Sequence, residues 1–255
     1  MKMTYHNSIL LVAFALLICL YLAAVLISNR RFKPWPNARI ICFILGILSL
    51  SIGFIGPLAD RAHTDFSAHM LGHLFLGMLA PLLITLSAPM TLILRSLKVK
   101  SARRLTKILR YPLVRSLTDP IVAAILNVGG LWLLYTTTLY AAMHHHVLLH
   151  VFIHIHVFLA GYLFTASLIS IDPMPHRKSF FYRAVVFLIA AACHGILAKF
   201  LYGHPPIGVP TEQAEIGSVL MYYGGDVIDS ALITILCTEW YTSKKMNRIR
   251  KPFSY

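Results

Sequence analysis

Five histidines and one aspartate lie within apolar stretches of the chain: His69, His73, His150, His154, His194 and Asp226. Four of these histidines form two pairs, His69 with His73 and His150 with His154, and the members of each pair are four residues apart. In a helix, both imidazoles of such a pair project from one face. Hydrocarbon penalises buried ionisable groups, and those that occur there mark functional sites. Imidazole is a good ligand for copper and zinc. The pattern predicts a metal site in which the histidines supply ligands and Asp226 orients a ligand or compensates charge.

The composition is that of an integral membrane protein. Of the 255 residues, 58% are hydrophobic and 13% are charged, and the mean hydropathy is +0.71. Such values place the chain outside the range of ordinary soluble domains. Seven apolar runs, each of about 20 residues, are long enough to cross a bilayer core about 30 Å thick. They are Asn7–Asn29, Ile40–Pro57, Phe66–Leu94, Asp119–Ala142, Val147–Ile171, Ala184–Gly203 and Gly217–Trp240.

These runs predict an all-α fold in which residues 1–255 form one transmembrane bundle of seven helices. We expect the first run to remain as a helix, because Asn29-Arg30-Arg31 follows it instead of a small-residue cleavage site. The four cysteines have no metal-type pair spacing and are expected to pack as small apolar side chains without disulfides: Cys19, Cys42, Cys193 and Cys237.

The net charge of +14 is concentrated on one side of the predicted bundle. Residues 30–39, 95–118, 177–183 and the tail after residue 243 hold 20 of the 23 lysines and arginines. By the positive-inside rule the N-terminus lies outside and the C-terminus is cytoplasmic. The basic loops are interpreted as topology signals that also attract anionic lipid, and not as a nucleic-acid surface, because no base-stacking aromatic pattern accompanies them.

With this topology, the helical rise of 1.5 Å per residue places the five histidines about 5–13 Å below the outer surface. A single intramembrane histidine is best interpreted as a hydrogen-bonded structural residue. Two spaced pairs, a third histidine and an aspartate at matched depth favour a metal instead. His156 points away from His154 and is left out of the ligand set. For His63 and His204, in outer loops, a solvated surface position is expected, and His144-His145-His146 is either a solvated turn or a metal-recruiting segment.

Other residues near the histidines have structural explanations. Met70, Met143 and Met221 fall near the outer surface, where packing is preferred to Cu(I) ligation for each of them. Gly77 continues the stripe of His69 and His73 and is small enough to let another helix approach. Pro81 and Pro89 are expected to bend the third helix, since each removes a backbone hydrogen bond.

Three stretches of the chain carry a family resemblance. The first is Ala68-His69-Met70-Leu71-Gly72-His73 continuing through Ala80-Pro81 to Ser87-Ala88-Pro89, the second is His145-His146-Val147-Leu148-Leu149-His150 with Ala160-Gly161, and the third is Gly217-Ser218-Val219-Leu220-Met221-Tyr222. Together they resemble the CtaG family of cytochrome c oxidase assembly factors, which serve caa-type oxidases. The resemblance runs from helix two to helix seven in the same order.

This resemblance implies a protein of the bacterial plasma membrane that supports maturation of the oxidase and is not itself an enzyme. It implies copper as the metal, supplied to the CuB centre of oxidase subunit I. The implied partners are subunit I, a copper donor protein on the outer side and the lipid bilayer, with no nucleic acid.

Two alternative functions use the same residue types. A membrane zinc hydrolase would hold zinc with three histidines and use an aspartate as its base. A haem protein would use histidines from two helices as axial ligands and would show a Soret absorbance band. Bound zinc with turnover of a lipid amide would favour the first alternative, and the absorbance spectrum tests the second.

Overall fold

The structure is a computed structural model that describes residues 2–169, 171–174 and 176–250. Every regular element in that part of the chain is helical, which confirms the all-α prediction. Lys251, the last residue of the predicted basic tail, lies outside the described residues. The α-helices are α1 (Lys2–Asn29), α2 (Asn37–Ile52), α3 (Pro57–Arg61), α4 (Phe66–His73), α5 (Ala80–Leu86), α6 (Pro89–Ser96), α7 (Val99–Leu109), α8 (Pro112–Leu117), α9 (Pro120–Ala124), α10 (Gly130–Thr136), α11 (Leu139–His145), α12 (Val147–Leu168), α13 (Phe180–Gly203) and α14 (Thr211–Arg250).

Six stretches of the described chain are long and apolar enough to cross a membrane, and a bent pair of helices makes a seventh. The chain is therefore a multi-pass membrane protein, as its composition predicts. We number the spans in chain order and count the bent pair as span 4. They are Asn7–Asn29, Asn37–Arg61, Phe66–Leu86, Pro120–Thr136 with Leu139–His145, Val147–Leu168, Phe180–Gly203 and Thr211–Lys245.

Span 3 differs from the expected continuous helix to Leu94. It ends at Leu86, and Ala88 has a left-handed backbone (φ 53°) before Pro89 begins α6. A residue that precedes proline is disfavoured in the right-handed helical conformation, so Pro89 separates two helices instead of bending one. Pro81 does not end the span. The chain accommodates it with a π-helical segment, Leu74–Leu79, which joins α4 to α5.

Span 4 is also broken, although a continuous helix was expected from Asp119 to Ala142. It contains a second π-helical segment, Ile125–Gly129, and bends by 78° between α10 and α11. The hydroxyl of Thr136 donates to the carbonyl oxygen of Trp132, and the hydroxyl of Thr137 donates to that of Leu133. Thr137 itself is extended, so the helix stops there. The sequence carries no proline or glycine at this bend.

The basic loops meet at one end of the bundle, which we call the basic end. Arg95 donates a hydrogen bond to the carbonyl oxygen of Lys33, 2.7 Å away. Asp172 accepts hydrogen bonds from the backbone of Thr91, and Lys178 forms an ion pair with Asp119 at 2.9 Å. Burial alone would raise the pKa of Asp119, but the hydrogen bond and charge of Lys178 outweigh it and hold the pKa below its usual value.

Two features of the basic end differ from the sequence prediction. Residues 95–118 were expected to form a loop, yet they contain α7 and α8. Arg183 was assigned to a loop, but it lies in α13 and only 2% of it is exposed. It forms an ion pair with Glu239 at 3.3 Å and donates a hydrogen bond to the carbonyl oxygen of Leu168. Burial is tolerated because the charge is paired and hydrogen-bonded.

Spans 3 and 5 pack at very close range through Gly77 and Gly161. A Cβ atom on Gly161 would lie 2.1 Å from the carbonyl oxygen of Gly77, a distance that no side chain tolerates. Pro81 has no N–H to donate to that carbonyl, as the fourth residue along a helix otherwise would. The prediction that Gly77 admits another helix is confirmed, and the contact places the histidine-bearing segment of span 3 against span 5.

The core packing also accounts for the three methionines singled out in the sequence. Met70, Met143 and Met221 are at most 1% exposed and belong to the same cluster of buried apolar side chains. This agrees with packing as their preferred role. All four cysteines are free, as expected, but Cys19 and Cys237 are exposed, so the expectation that the cysteines pack inside the bundle is wrong for these two.

Candidate metal centre

Two histidines from different spans face each other in the interior of the bundle. His73 is the last residue of α4, and His194 lies in the middle of α13. Their ring centroids are 6.2 Å apart, and they are 5% and 7% exposed. In neither ring does Nε2 have a hydrogen-bond partner among the described residues. We call His73 and His194 the core pair. Because buried polar atoms without partners are rare and costly, the two unpartnered nitrogens indicate a position where a ligand could bind.

Two glycines make room for the core pair. A Cβ atom at Gly77 would lie 3.1 Å from both Cε1 and Nδ1 of His73. A Cβ atom at Gly225, on α14, would lie 2.7 Å from Cε1 of His194. Any larger residue at either position would push an imidazole aside. The backbone of spans 3 and 7 is therefore shaped around these two rings.

Both histidines line a small cavity of about 30 Å³. A space of this size holds a single ion or one to two water molecules. Besides the core pair, Met78, Asn127 and Asp229 contribute polar or sulfur-containing side chains to its wall. Both π-helical segments reach this wall, and π-helical turns occur often at functional sites.

Four further histidines form what we call the rim group, at the end of the bundle opposite the basic end: His63, His69, His150 and His154. The rings of His150 and His154 stack with centroids 4.1 Å apart, as their spacing predicts. His63 is exposed, as expected, and its ring also stacks on that of His150 at 5.1 Å. Nδ1 of His154 donates to the carbonyl oxygen of His150, 2.9 Å away. This bond orients the ring, as hydrogen bonds commonly do for ligating histidines.

Within the rim group, His69 is the member that lies beside the core pair. Its ring centroid is 6.3 Å from that of His154, and His73 follows it by one turn on α4. Nε2 of His69 is hydrogen-bonded to the hydroxyl of Tyr135, 3.1 Å away. This nitrogen already has a protein partner in the structure, whereas Nε2 of each core-pair histidine has none among the described residues.

The five predicted histidine ligands thus occupy two neighbouring sets and not one, and the sixth predicted ligand, Asp226, belongs to neither set. Within the described ranges no three histidine, cysteine or acidic side chains are close enough to hold a metal ion together. Asp226 is exposed, and it lies near enough to His194 to act on it electrostatically. Asp229, one turn further along α14, lines the cavity. Of the groups that line this cavity, the two imidazoles and the Met78 thioether suit copper, and the thioether favours Cu(I), whereas Asn127 and Asp229 offer oxygen donors.

Several residues at the site were not singled out by the sequence analysis. Met78 and Asn127 line the cavity, Tyr135 bonds to His69, and Gly225 contacts His194. None of these could have been found from spacing within one helix, because each meets its neighbour across two helices.

His156 has a structural role, in agreement with its exclusion from the ligand set. Its Nε2 donates to the carbonyl oxygen of Leu126, 3.1 Å away, within the π-helical segment of span 4. A Cβ atom on Gly130 would lie 2.7 Å from this nitrogen, so the glycine admits the ring. The imidazole satisfies a carbonyl group inside the bundle.

Comparison with known proteins gives one family and a few relatives. The family described as cytochrome c oxidase caa3 assembly factor (Caa3_CtaG) matches residues 19–243. Uncharacterised proteins of Mycobacterium bovis and Mycobacterium tuberculosis are each 32% identical over 164 residues, which cover 62% of this chain and 25% of the relative. An uncharacterised protein of Mycobacterium leprae is 29% identical over 170 residues, which cover 64% of this chain and 26% of that relative. The chain thus spans about a quarter of the length of these relatives. No solved structure matches it significantly.

Proposed function

The chain belongs to the family of cytochrome c oxidase caa3 assembly factors, and from this we propose that it carries copper inside the membrane and supplies it to the CuB centre of oxidase subunit I. The observation that carries the proposal is the core pair. Two histidines whose buried Nε2 atoms have no partner among the described residues line one cavity together with Met78, Asn127 and Asp229. The imidazoles and the thioether are donors that bind Cu(I), and a site with few ligands can release its ion to an acceptor.

The rim group provides the route by which copper reaches the core pair. From His63 to His150 and His154 the ring centroids are 5.1 and 4.1 Å apart. From His154 to His69 the separation is 6.3 Å, and from His73 to His194 it is 6.2 Å. Copper would pass along this series as cargo. To take part, His69 exchanges its bond with Tyr135 for the ion, and a donor protein would dock beside His63.

The placement of the rim group fits a donor that arrives from outside the cell. The rim group lies opposite the basic end, and under the positive-inside rule the basic end is cytoplasmic. Copper would then enter from the outer side of a bacterial plasma membrane, and subunit I would receive it within the bilayer.

Neither alternative function gains comparable support. A zinc hydrolase requires three protein ligands with a water molecule in the fourth position, and in the described part of the chain no three such side chains converge. A haem is far too large for a cavity of about 30 Å³, since pockets for ligands of drug size measure about 300–1,000 Å³.

Copper binding by the purified protein tests the proposal. The protein, in detergent and under reducing conditions, is loaded with Cu(I), desalted and analysed for copper per chain. We expect the wild type to retain copper and the His73→Ala/His194→Ala double variant to lose it, because both unpartnered nitrogens are removed. The control is His204→Ala, which removes an exposed histidine at the end of the same helix that carries His194. A wild-type protein that retains no copper, or a double variant that retains as much as the control, contradicts the proposal.

A further inference from the structure

A large groove at the basic end is lined by both basic and apolar side chains. Its volume is about 600 Å³, and it lies between α7 and the residues that follow α1. Five basic residues line it: Arg31, Arg95, Arg103, Lys107 and Arg110. None of them takes part in an ion pair in the part of the chain that the structure describes. No aspartate or glutamate is among the described residues of its wall.

Arg95 is held in place inside this groove by groups that carry no negative charge. Its guanidinium lies 5.0 Å from the ring centroids of Phe32 and Trp35, and it donates to the carbonyl oxygen of Lys33. Its Nε is buried and has no hydrogen-bond partner among the described residues. The guanidinium of Arg95 is therefore held in place without an acidic partner to neutralise its charge, and its Nε–H remains to donate to a ligand.

The apolar part of the groove and its surroundings match the boundary of a bilayer. Phe32, Leu94, Leu97 and Val99 line the groove beside the cations. Ile108, Tyr111 and Leu113, on and after α7, are 59%, 65% and 63% exposed. A basic helix with exposed apolar side chains is typical of a segment that lies in the membrane interface. The groove lies just beyond the ends of spans 1 and 3, so it is at the level of the membrane interface.

We propose that this groove is a binding site for one anionic phospholipid. The phosphate group lies among Arg31, Arg95, Arg103, Lys107 and Arg110, where arginine can contact two of its oxygens at once. The start of an acyl chain lies along Phe32 and Leu97. The site fits a phospholipid better than free phosphate because half of its wall is apolar, and it is independent of copper handling.

Two double variants on α7 separate a defined site from general attraction. Arg103 and Lys107 line the groove, whereas Lys100 and Arg104 lie on the same helix with the same spacing and do not line it. Arg103→Gln/Lys107→Gln and Lys100→Gln/Arg104→Gln therefore remove the same charge from the same helix. All four positions are exposed, so both variants are expected to fold.

The experiment measures the dissociation constant of short-chain phosphatidylglycerol for the full-length protein in neutral detergent. Phosphatidylcholine and inorganic phosphate serve as competitors. We expect Arg103→Gln/Lys107→Gln to weaken lipid binding roughly 30-fold. The control variant, Lys100→Gln/Arg104→Gln, should weaken it less than about threefold. Millimolar phosphate should not displace the lipid. Equal losses in both variants would mean general electrostatic attraction only and overturn the site. The proposal that the ligand is an anionic phospholipid would be wrong if phosphatidylcholine bound as tightly as phosphatidylglycerol. It would also be wrong if inorganic phosphate displaced the lipid.

Discussion

At the scale of single residues, the candidate site depends as much on glycine as on histidine. Gly77 and Gly225 lie against the rings of His73 and His194, and nothing but hydrogen at these positions leaves both rings in place. Among the described histidines, these two rings are the ones whose Nε2 atoms are buried without a hydrogen-bond partner. Orientation of the imidazoles is therefore built into the backbone of spans 3 and 7.

We expect Gly225→Ala to weaken copper binding at least about tenfold while the protein still folds. The added methyl group would lie 2.7 Å from Cε1 of His194 and force the ring out of its position; small errors in ligand placement cost affinity steeply. A competition titration with a Cu(I) chelator measures the effect. Gly72→Ala is the control, because a Cβ atom there meets nothing within 4 Å and Gly72 precedes His73 in the same helix. Similar affinities for both variants would contradict this role for Gly225.

The residue types of the site could be predicted from the sequence, but their partners could not. Spacing along one helix correctly predicted that His150 and His154 would lie together. It could not separate His69, which bonds to Tyr135, from His73, which has an unpartnered Nε2 among the described residues. That difference depends on the rotation of span 3 relative to spans 4 and 6, and no single-helix pattern encodes it. The assignment of Asp226 and the histidines as ligands stays a prediction.

At the scale of elements, span 3 positions most of the site, and its start is fixed by side chains. The carboxylate of Asp65 accepts hydrogen bonds from the backbone of Ser67 and Ala68 at the start of α4. The side chain of Gln213, from the start of span 7, accepts a hydrogen bond from the backbone of Phe66, 3.0 Å away. These bonds satisfy N–H groups that a helix leaves unpaired at its start. They also tie the start of span 3 to span 7.

We expect Asp65→Ala to lower the free energy of unfolding by about 1 kcal/mol at pH 7, since the first turn of α4 loses its cap. Hydrogen bonds from Ser67 hold the pKa of Asp65 below its usual value. The stabilisation is therefore complete above the unfolded-state pKa of about 4 and is lost as the pH falls through the lower folded-state pKa. Unfolding in mild detergent at several pH values measures it. Asp60→Ala is the control on α3, and a difference between the variants that persists unchanged below pH 3 would contradict the capping role.

The spans could be predicted because length and hydropathy suffice for that, but their interruptions could not. Pro89 signals a break, and the structure has one, with Ala88 in a left-handed conformation. The 78° bend after Thr136 lacks such a signal, since threonine forms ordinary membrane helix in most contexts. Helices α7 and α8 were also missed, because their many basic residues resemble those of a loop.

At the scale of the whole molecule, the bundle has two chemically distinct ends. The basic end carries the unpaired arginines and lysines of the lipid groove, and the opposite end carries the rim group of histidines. The family supports a role in assembling the oxidase. The orientation of the bundle decides which compartment each end faces, and with it the direction from which copper arrives.

We expect the C-terminus, after Lys245, to be cytoplasmic. The basic loops set this orientation through the positive-inside rule. Fusions of green fluorescent protein and of alkaline phosphatase to the C-terminus measure it, since the former fluoresces in the cytoplasm and the latter is active only outside. Matched fusions after residue 208, in the loop between spans 6 and 7, should show the reverse. An active phosphatase at the C-terminus would contradict the proposed direction of copper entry.

The copper content of the CuB centre tests the central claim most directly. Oxidase is purified from cells whose only copy of this protein carries His73→Ala/His194→Ala, and copper is measured per haem in subunit I. We predict that CuB copper is largely lost while subunit I and its haem remain, and that His204→Ala leaves the copper content unchanged. A normal ratio of CuB copper to haem in cells with the double variant would contradict the proposal that this protein supplies the copper through the core pair.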